Sequence, residues 1–252
     1  MNEITLFGFN NLTKSLSFSL YKLQYLTNHP DRYNVFIKER YSADKLNRVL
    51  TEICHAIGGT VLNIAKQDYQ PQGASVTLMI SEELQDQPLA TIASESLVAH
   101  LNKSHLCIHT YPEESPQEGI AIFRADIELS TCGVISPLKV LNQVIEAFDA
   151  DVVDIDYRIR GMTRDRQGKK LFNFDKLNRV SDFLSTKMTG SYHINEYNFH
   201  PQNLFHTKLS RKEIRLNDYL FEEDSKNLLV DKQRSISEQL KKEIHQLFTN
   251  TN

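Results

Sequence analysis

The sequence predicts an α+β fold with a mostly antiparallel sheet. Three observations carry this reading: short segments in which apolar and polar residues alternate, two apolar stripes at helical spacing, and an element order of strand–strand–helix–strands–helix–strand. Ile4 to Phe9 and Leu16 to Tyr21 are the first two strand candidates. Asn10-Asn11 between them is turn chemistry, because Asn tolerates positive φ and bonds its own backbone. The clearest helix follows, with Leu46, Val49, Leu50, Ile53, Cys54 and Ile57 falling on one continuous stripe. Ser42 suits its N-cap, Asp44 its first turn, and Gly58-Gly59 its stop. Cys54 lies on the stripe and reads as a small core hydrophobe.

Thr60 to Ala65 is a short β-branched strand, and Pro71-Gln72-Gly73 breaks the chain before the next. There Ala74, Val76, Leu78 and Ile80 take one face, and Ser75, Thr77, Met79 and Ser81 the other. Glu82 to Ser96, with Pro88, reads as a polar surface loop. Ser104 to Tyr111 is a strand by composition, ended by Pro112. Ile120 to Leu129 alternates as another, with Ile122, Arg124, Asp126 and Glu128 on one side. Ser136-Pro137 opens a helix whose core stripe is Leu138, Leu141, Val144, Ile145 and Phe148. Val152 to Ile159 is strand-like again. Beyond Gly161 apolar spacing weakens and charge rises, and the next regular element expected is a helix over Ser237 to Phe248. No repeat of 20 to 50 residues is visible.

The 252 residues are 40% hydrophobic and 24% charged, an ordinary globular balance that excludes a disordered or fibrous chain. Lys and Arg total 29 against 32 Asp and Glu, so the basic surplus of a general nucleic-acid binder is missing. The basic stretch Asp156 to Lys170 reads as a solvated loop. No apolar run approaches the ~20 residues of a membrane-spanning helix, and MNEITLFGFNNLTKS lacks the regions of a signal peptide. Cys54, Cys107 and Cys132 are unequally spaced and make no closed disulfide framework. The expectation is a reduced, cytoplasmic protein with no nucleic-acid or membrane partner.

No dinucleotide fingerprint, P-loop, H-E-x-x-H or C-x-x-C is present. His105 and His109 would pair as metal ligands on a helix, but on a strand they stand ~13 Å apart. Lys103 to Cys132 also holds Ser104, Cys107, Tyr111 and Glu113. From residue types alone this cluster reads more readily as satisfied strand residues than as a catalytic set.

Those residues sit in longer segments: FGFNNLTKSLSF (7–18), LNIAKQDYQPQGASVT (62–77), VAHLNKSHLCIHTYPE (98–113), FRADIELSTCGVISPLK (123–139) and DYRIRGMTRD (156–165), with NLFHTK (203–208) as a weaker echo. In that order they resemble the larger bacterial type of S-adenosylmethionine decarboxylase, which makes its own pyruvoyl cofactor. The resemblance runs over essentially the whole chain and is weakest in a C-terminal extension from about Leu209. It implies a sheet with helices on one face, dimerising as a four-layer α/β/β/α sandwich. It further implies decarboxylation of S-adenosylmethionine for spermidine synthesis. The alternative is a pyruvoyl decarboxylase of another amino acid, such as ornithine or arginine.

The chemistry explains why such residues are needed. Loss of CO2 from an α-amino acid leaves a carbanion, which requires an electron sink. A ketone supplies one by forming a Schiff base with the substrate amine, and no side chain carries a ketone. By resemblance, the bond Lys103–Ser104 is cut by attack of the Ser104 hydroxyl on the Lys103 carbonyl, followed by elimination. The products are a β chain of residues 1–103 and an α chain of residues 104–252 that begins with the pyruvoyl group. His109 matches the processing histidine and Ser75 a second processing serine. Cys132 matches the acid that returns a proton after CO2 leaves, and a thiol of pKa ~8.5 is mostly protonated at pH 7. Glu113 sits where the family places a carboxylate on the ribose hydroxyls, and Phe9 and Tyr69 are candidate partners for the adenine. The larger bacterial type is also associated with Mg²⁺ as an activator. The sequence offers no ligand set for it beyond Asp126 and Glu128, which more readily pair with Arg124.

Parity adds one expectation. On a continuous strand Ser104 and His109 stand ~17 Å apart on opposite faces. A two-fold dimer with Ser75 and His109 of one chain facing Ser104 and Cys132 of the other resolves this. A bulge at Ser104 is the competing explanation.

Overall fold

The computed structural model describes residues 11–26, 30–82, 103–113, 119–132, 135–164, 167–172, 177–221 and 225–251. The strand expected at Ile4 to Phe9 and most of the loop expected from Glu82 to Ser96 lie outside them. Along the chain come β1 (Thr13–Tyr25), α1 (Pro30–Tyr41), α2 (Ala43–Ala56), β2 (Gly59–Asp68), β3 (Ala74–Glu82), β4 (Lys103–Pro112) and β5 (Ile120–Cys132). A 3-10 turn (Pro137–Val140) then runs into α3 (Leu141–Phe148), followed by β6 (Val152–Arg160) and a ribbon of β7 (Thr163–Arg164) with β8 (Lys170–Leu171). The remainder holds α4 (Thr186–Ser191), β9 (Tyr192–Phe199), β10 (Leu204–Arg211) and α5 (Val230–Thr249). Eight strands make one sheet in the order β2-β3-β4-β5-β1-β6-β10-β9, every neighbouring pair antiparallel.

Alternation in the strands decides what each face meets. Ala74, Val76, Leu78 and Ile80 of β3 are fully buried, as are Leu106 and Ile108 of β4. With Leu16, Phe18 and Leu20 of β1 they join one core with Leu46, Leu50, Ile53 and Cys54 of α2 and the stripe of α3. Burial pushes the Cys54 thiol up to about 11, as befits a core hydrophobe. Ser42 does stand at the N-cap of α2, but its hydroxyl makes no cap bond; the Asp68 carboxylate accepts from the Ala43 N–H at 2.8 Å instead. Gly58, with φ of 86°, ends the helix as expected.

Several elements differ from expectation. Helix α1 was not predicted, because its stripe of Tyr33, Ile37 and Tyr41 is aromatic and sparse within a charged segment. The helix at Ser136-Pro137 begins as a 3-10 turn before α3. Strand β6 stands where Val152 to Ile159 was expected, so the first part of the basic stretch from Asp156, expected as a solvated loop, is strand, with Tyr157 and Ile159 buried. Strands β9 and β10 extend the sheet where apolar spacing fails. β9 is an edge strand whose outward residues mix polar His193 and Asn195 with exposed Tyr197 and Phe199, and β10 buries Thr207, Lys208 and Ser210 among its apolar positions.

The final helix begins at Val230, earlier than expected, and lies on the face opposite α2. Its buried Ile236, Leu240 and Ile244 pack with Leu23, Tyr25, Ile120 and Val152, whose parity sets them on that second face. Among the described residues, α2 and α3 pack on one face, and α5 packs on the other at one end. The segment leading to α5 is tied down by Asp151, which is fully buried. Asp151 accepts from Leu23 N at 2.8 Å, from the Tyr219 hydroxyl at 2.8 Å and from Arg211 Nε at 3.0 Å. Among the described residues no helix is long and apolar enough to cross a membrane.

Candidate active site

Ser104 lies at the head of β4 on the helix-covered face and is 3% exposed. Its Oγ accepts a hydrogen bond from the Cys132 backbone N–H at 3.2 Å, across the β4–β5 pairing. By parity the Cys132 side chain stands on the open face with Glu128 and Ser130. The sheet thus brings Ser104 and Cys132 together at one end of β4, next to the backbone of Lys103.

Two residues that sequence reasoning passed over hold this corner. Lys14 is buried on β1, in register with Thr131, and its ammonium donates to the Ile135 carbonyl at 2.7 Å. The Thr131 hydroxyl reaches the same carbonyl at 3.4 Å. Both fix the chain that follows Cys132. The signal was a lysine at an inward position of β1, which is visible only once the strand's register is known.

Ser75 and His109 form a second group. They pair directly across β3 and β4 on the open face, His109 exposed and Ser75 half-buried. Thr110 anchors this end: its hydroxyl accepts from Ala74 N at 2.7 Å and donates to the Ala74 carbonyl at 3.1 Å. Glu113 follows at the end of β4, where its carboxylate accepts from Ile122 N at 3.0 Å. Tyr69 stands in the β2–β3 turn, whose Gln72 side chain donates to the Glu113 carbonyl at 3.4 Å. Tyr69 and Pro71, with Lys38 and Tyr41 of α1, line a cavity of about 360 Å³. Phe9 lies outside the described residues.

The two groups do not meet within one chain. From Lys103 to His109 the pairing of β4 with β3 has no register shift, and neither has its pairing with β5 from His105. No bulge therefore brings His109 back to Ser104. At ~3.4 Å per residue the two are ~17 Å apart on opposite faces, and Glu113 is ~30 Å from Ser104.

Cys107, between the groups on the open face, has its thiol pushed up by burial and then by Glu128 opposite. Arg124 ion-pairs with Asp126 at 3.2 Å and lies over the Tyr111 ring at 4.3 Å. Among the described residues no three His, Cys, Asp or Glu side chains are grouped as a metal ion requires. The described residues do not form a Mg²⁺ cage.

Comparison with known proteins bears on this arrangement. The sequence model of the family described as S-adenosylmethionine decarboxylase matches residues 33–161. A protein named S-adenosylmethionine decarboxylase proenzyme from Stenotrophomonas maltophilia (strain K279a) is 49% identical over 255 residues, covering 99% of this chain and 97% of its own. One of the same name from Xylella fastidiosa (strain M12) matches at the same identity and coverage. Both alignments include the region beyond Leu209. A crystal structure of the adenosylmethionine decarboxylase from Aquifex aeolicus VF5 is similar over 67% of this chain and 99% of that one, at 14% identity and a TM-score of 0.37.

Proposed function

The chain belongs to the S-adenosylmethionine decarboxylase family, and from that premise we propose that it is a proenzyme that cuts itself at Lys103–Ser104 and decarboxylates S-adenosylmethionine. The observation that carries this reading is the head of β4, where a buried Ser104 is held by the Cys132 N–H beside the bond to be cut. Those residues fit the precursor of a pyruvoyl group.

The Ser104 Oγ attacks the Lys103 carbonyl carbon, and the peptide C–N bond gives way to an ester. The ester is then opened by elimination, which removes the Ser104 Cα hydrogen. His109 of a second chain takes that hydrogen as general base. The Lys103 carboxylate then leaves, closing a chain of residues 1–103. The dehydroalanine at position 104 loses ammonia to water and becomes pyruvoyl. Once formed, that group supplies a carbonyl for the substrate amine and a sink for the electrons released with CO2.

The chain's own side chains do the rest. The Cys132 thiol, on the open face, returns a proton to the substrate α-carbon. Glu113 accepts from the ribose hydroxyls, its carboxylate oriented by Ile122 N. Tyr69 offers its ring to the adenine, and Phe9 is assigned the same role. Ser75, opposite His109, assists processing. No step passes through Mg²⁺.

The separation of the Ser104 and His109 groups supports a two-fold dimer whose sites each take residues from both chains, stacked as an α/β/β/α sandwich. The product carries the aminopropyl group used to make spermidine, a cytoplasmic role. Ornithine and arginine lack a ribose for Glu113 to hold, and the relatives are named for S-adenosylmethionine.

Intact-mass analysis of the purified protein tests the reading. Dividing 29.1 kDa in proportion to 103 and 149 residues gives two chains near ~12 and ~17 kDa. A protein that decarboxylates S-adenosylmethionine while wholly uncut contradicts it.

A further inference from the structure

Resting on the self-cleavage reading, we propose that Lys14 is a positioning residue for the cut at Lys103–Ser104. Its buried ammonium ties down the chain leaving β5 and so keeps the Cys132 N–H on the Ser104 Oγ. The path of contacts is short. Lys14 of β1 pairs with Thr131 of β5. Its Nζ donates to the Ile135 carbonyl at 2.7 Å, three residues beyond Cys132. The Cys132 N–H, between those two fixed points, donates to the Ser104 Oγ at 3.2 Å. Cys132 is the last residue of β5, so loosening Ile135 would leave that donor at the end of a fraying strand.

Three observations set Lys14 apart from ordinary core packing. It stands at an inward position of β1, where Leu16, Phe18 and Leu20 on the same face are buried in the core, and it is 2% exposed. An apolar side chain there would avoid the cost of burying an ammonium. The second donor to the same carbonyl, the Thr131 hydroxyl, is at 3.4 Å, long for an O–H···O bond. Ser136, at the N-cap of the 3-10 turn that follows, makes no cap bond, and among the described residues its buried Oγ has no partner. The turn is not capped by its own serine, and its place depends on Lys14.

The cut begins by exchanging an amide for an ester. The Oγ–C bond forms, the C–N bond breaks, and the hydroxyl proton passes to the departing Ser104 nitrogen. An Oγ that accepts from the Cys132 N–H is held in one rotamer and keeps its proton to give. Without that donor the hydroxyl turns among its staggered rotamers and meets the Lys103 carbonyl less often.

Ester formation can be read apart from the elimination that follows it. In full-length His109→Ala, which lacks the proposed base, the ester should persist, and hydroxylamine should cut it to two chains seen by mass spectrometry. Adding Lys14→Met should slow that cut by about tenfold, the worth of one hydrogen bond. Hydrogen exchange in the same proteins, labelled with ¹⁵N-cysteine, follows the Cys132 amide against that of Cys54 in α2. Protection of Cys132 should fall while that of Cys54 stays at the parent level; a purely structural lysine would lower both together. Circular dichroism checks the fold, and Lys14→Gln takes the place of Lys14→Met if that variant is unfolded. A cut at the parent rate, or equal losses of protection at Cys132 and Cys54, overturns the role of Lys14 and leaves the self-cleavage reading standing. A His109→Ala parent that hydroxylamine never cuts, beside a wild-type protein that stays whole, overturns both.

Discussion

At the residue scale, Cys132 holds Ser104 through its backbone N–H and is assigned its proton transfer through its thiol, so one substitution separates the two. Cys132→Ala keeps the N–H and should still cut at Lys103–Ser104. Turnover should fall by about 10²- to 10⁴-fold, the usual span for loss of a general acid. Gel electrophoresis reads the first and CO2 release the second; wild-type turnover in a cut Cys132→Ala protein removes the thiol from the mechanism. Ser104→Ala should stay whole and inactive, with wild-type circular dichroism. The candidate residues were legible because NKSH, STCG and PQGAS are local strings. Lys14 and Thr110 were not, since each acts on a strand far away in sequence and its partner appears only with the register. The split into two groups was legible too, because it needs only the parity of residues 104 and 109 on an unbroken strand.

At the scale of elements, the second-face helix and its anchor depend on a buried charge. Arg211→Leu leaves Asp151 in the core without its guanidinium partner, beside Lys22 at 3.7 Å. The expected loss is about 3–5 kcal/mol, read by chemical unfolding; a loss below about 1 kcal/mol would show that Lys22 alone suffices. Gly161 joins two recognised segments. Its φ is 86°, and a Cβ there would overlap the Asn11 carbonyl, while the Asn11 side chain accepts from Met162 N at 2.7 Å. Gly161→Ala should cost about 1–3 kcal/mol by the same measurement, and a neutral result would mean the corner relaxes freely. Helix α2 and strands β3, β4 and β5 could be read from periodicity because each puts an uninterrupted apolar face on the core. Strands β9 and β10 could not, since an edge position and buried Thr207 and Lys208 erase the period-two signal. Which face α5 would cover could not be read either, because a stripe of Ile236, Leu240 and Ile244 does not say which side of a sheet it meets.

At the scale of the whole molecule, the account rests on sites completed by a second chain. Co-expression of differently tagged Ser104→Ala and His109→Ala precursors, followed by mass spectrometry of each tagged chain, tests this most directly. In a mixed dimer one site pairs an intact Ser104 with an intact His109 and the other lacks both. Cleavage should therefore return only in the His109→Ala chain, which keeps its serine, while the Ser104→Ala chain stays whole. Mixed dimers in which neither chain is cut would contradict the shared site and return His109 to the service of its own Ser104.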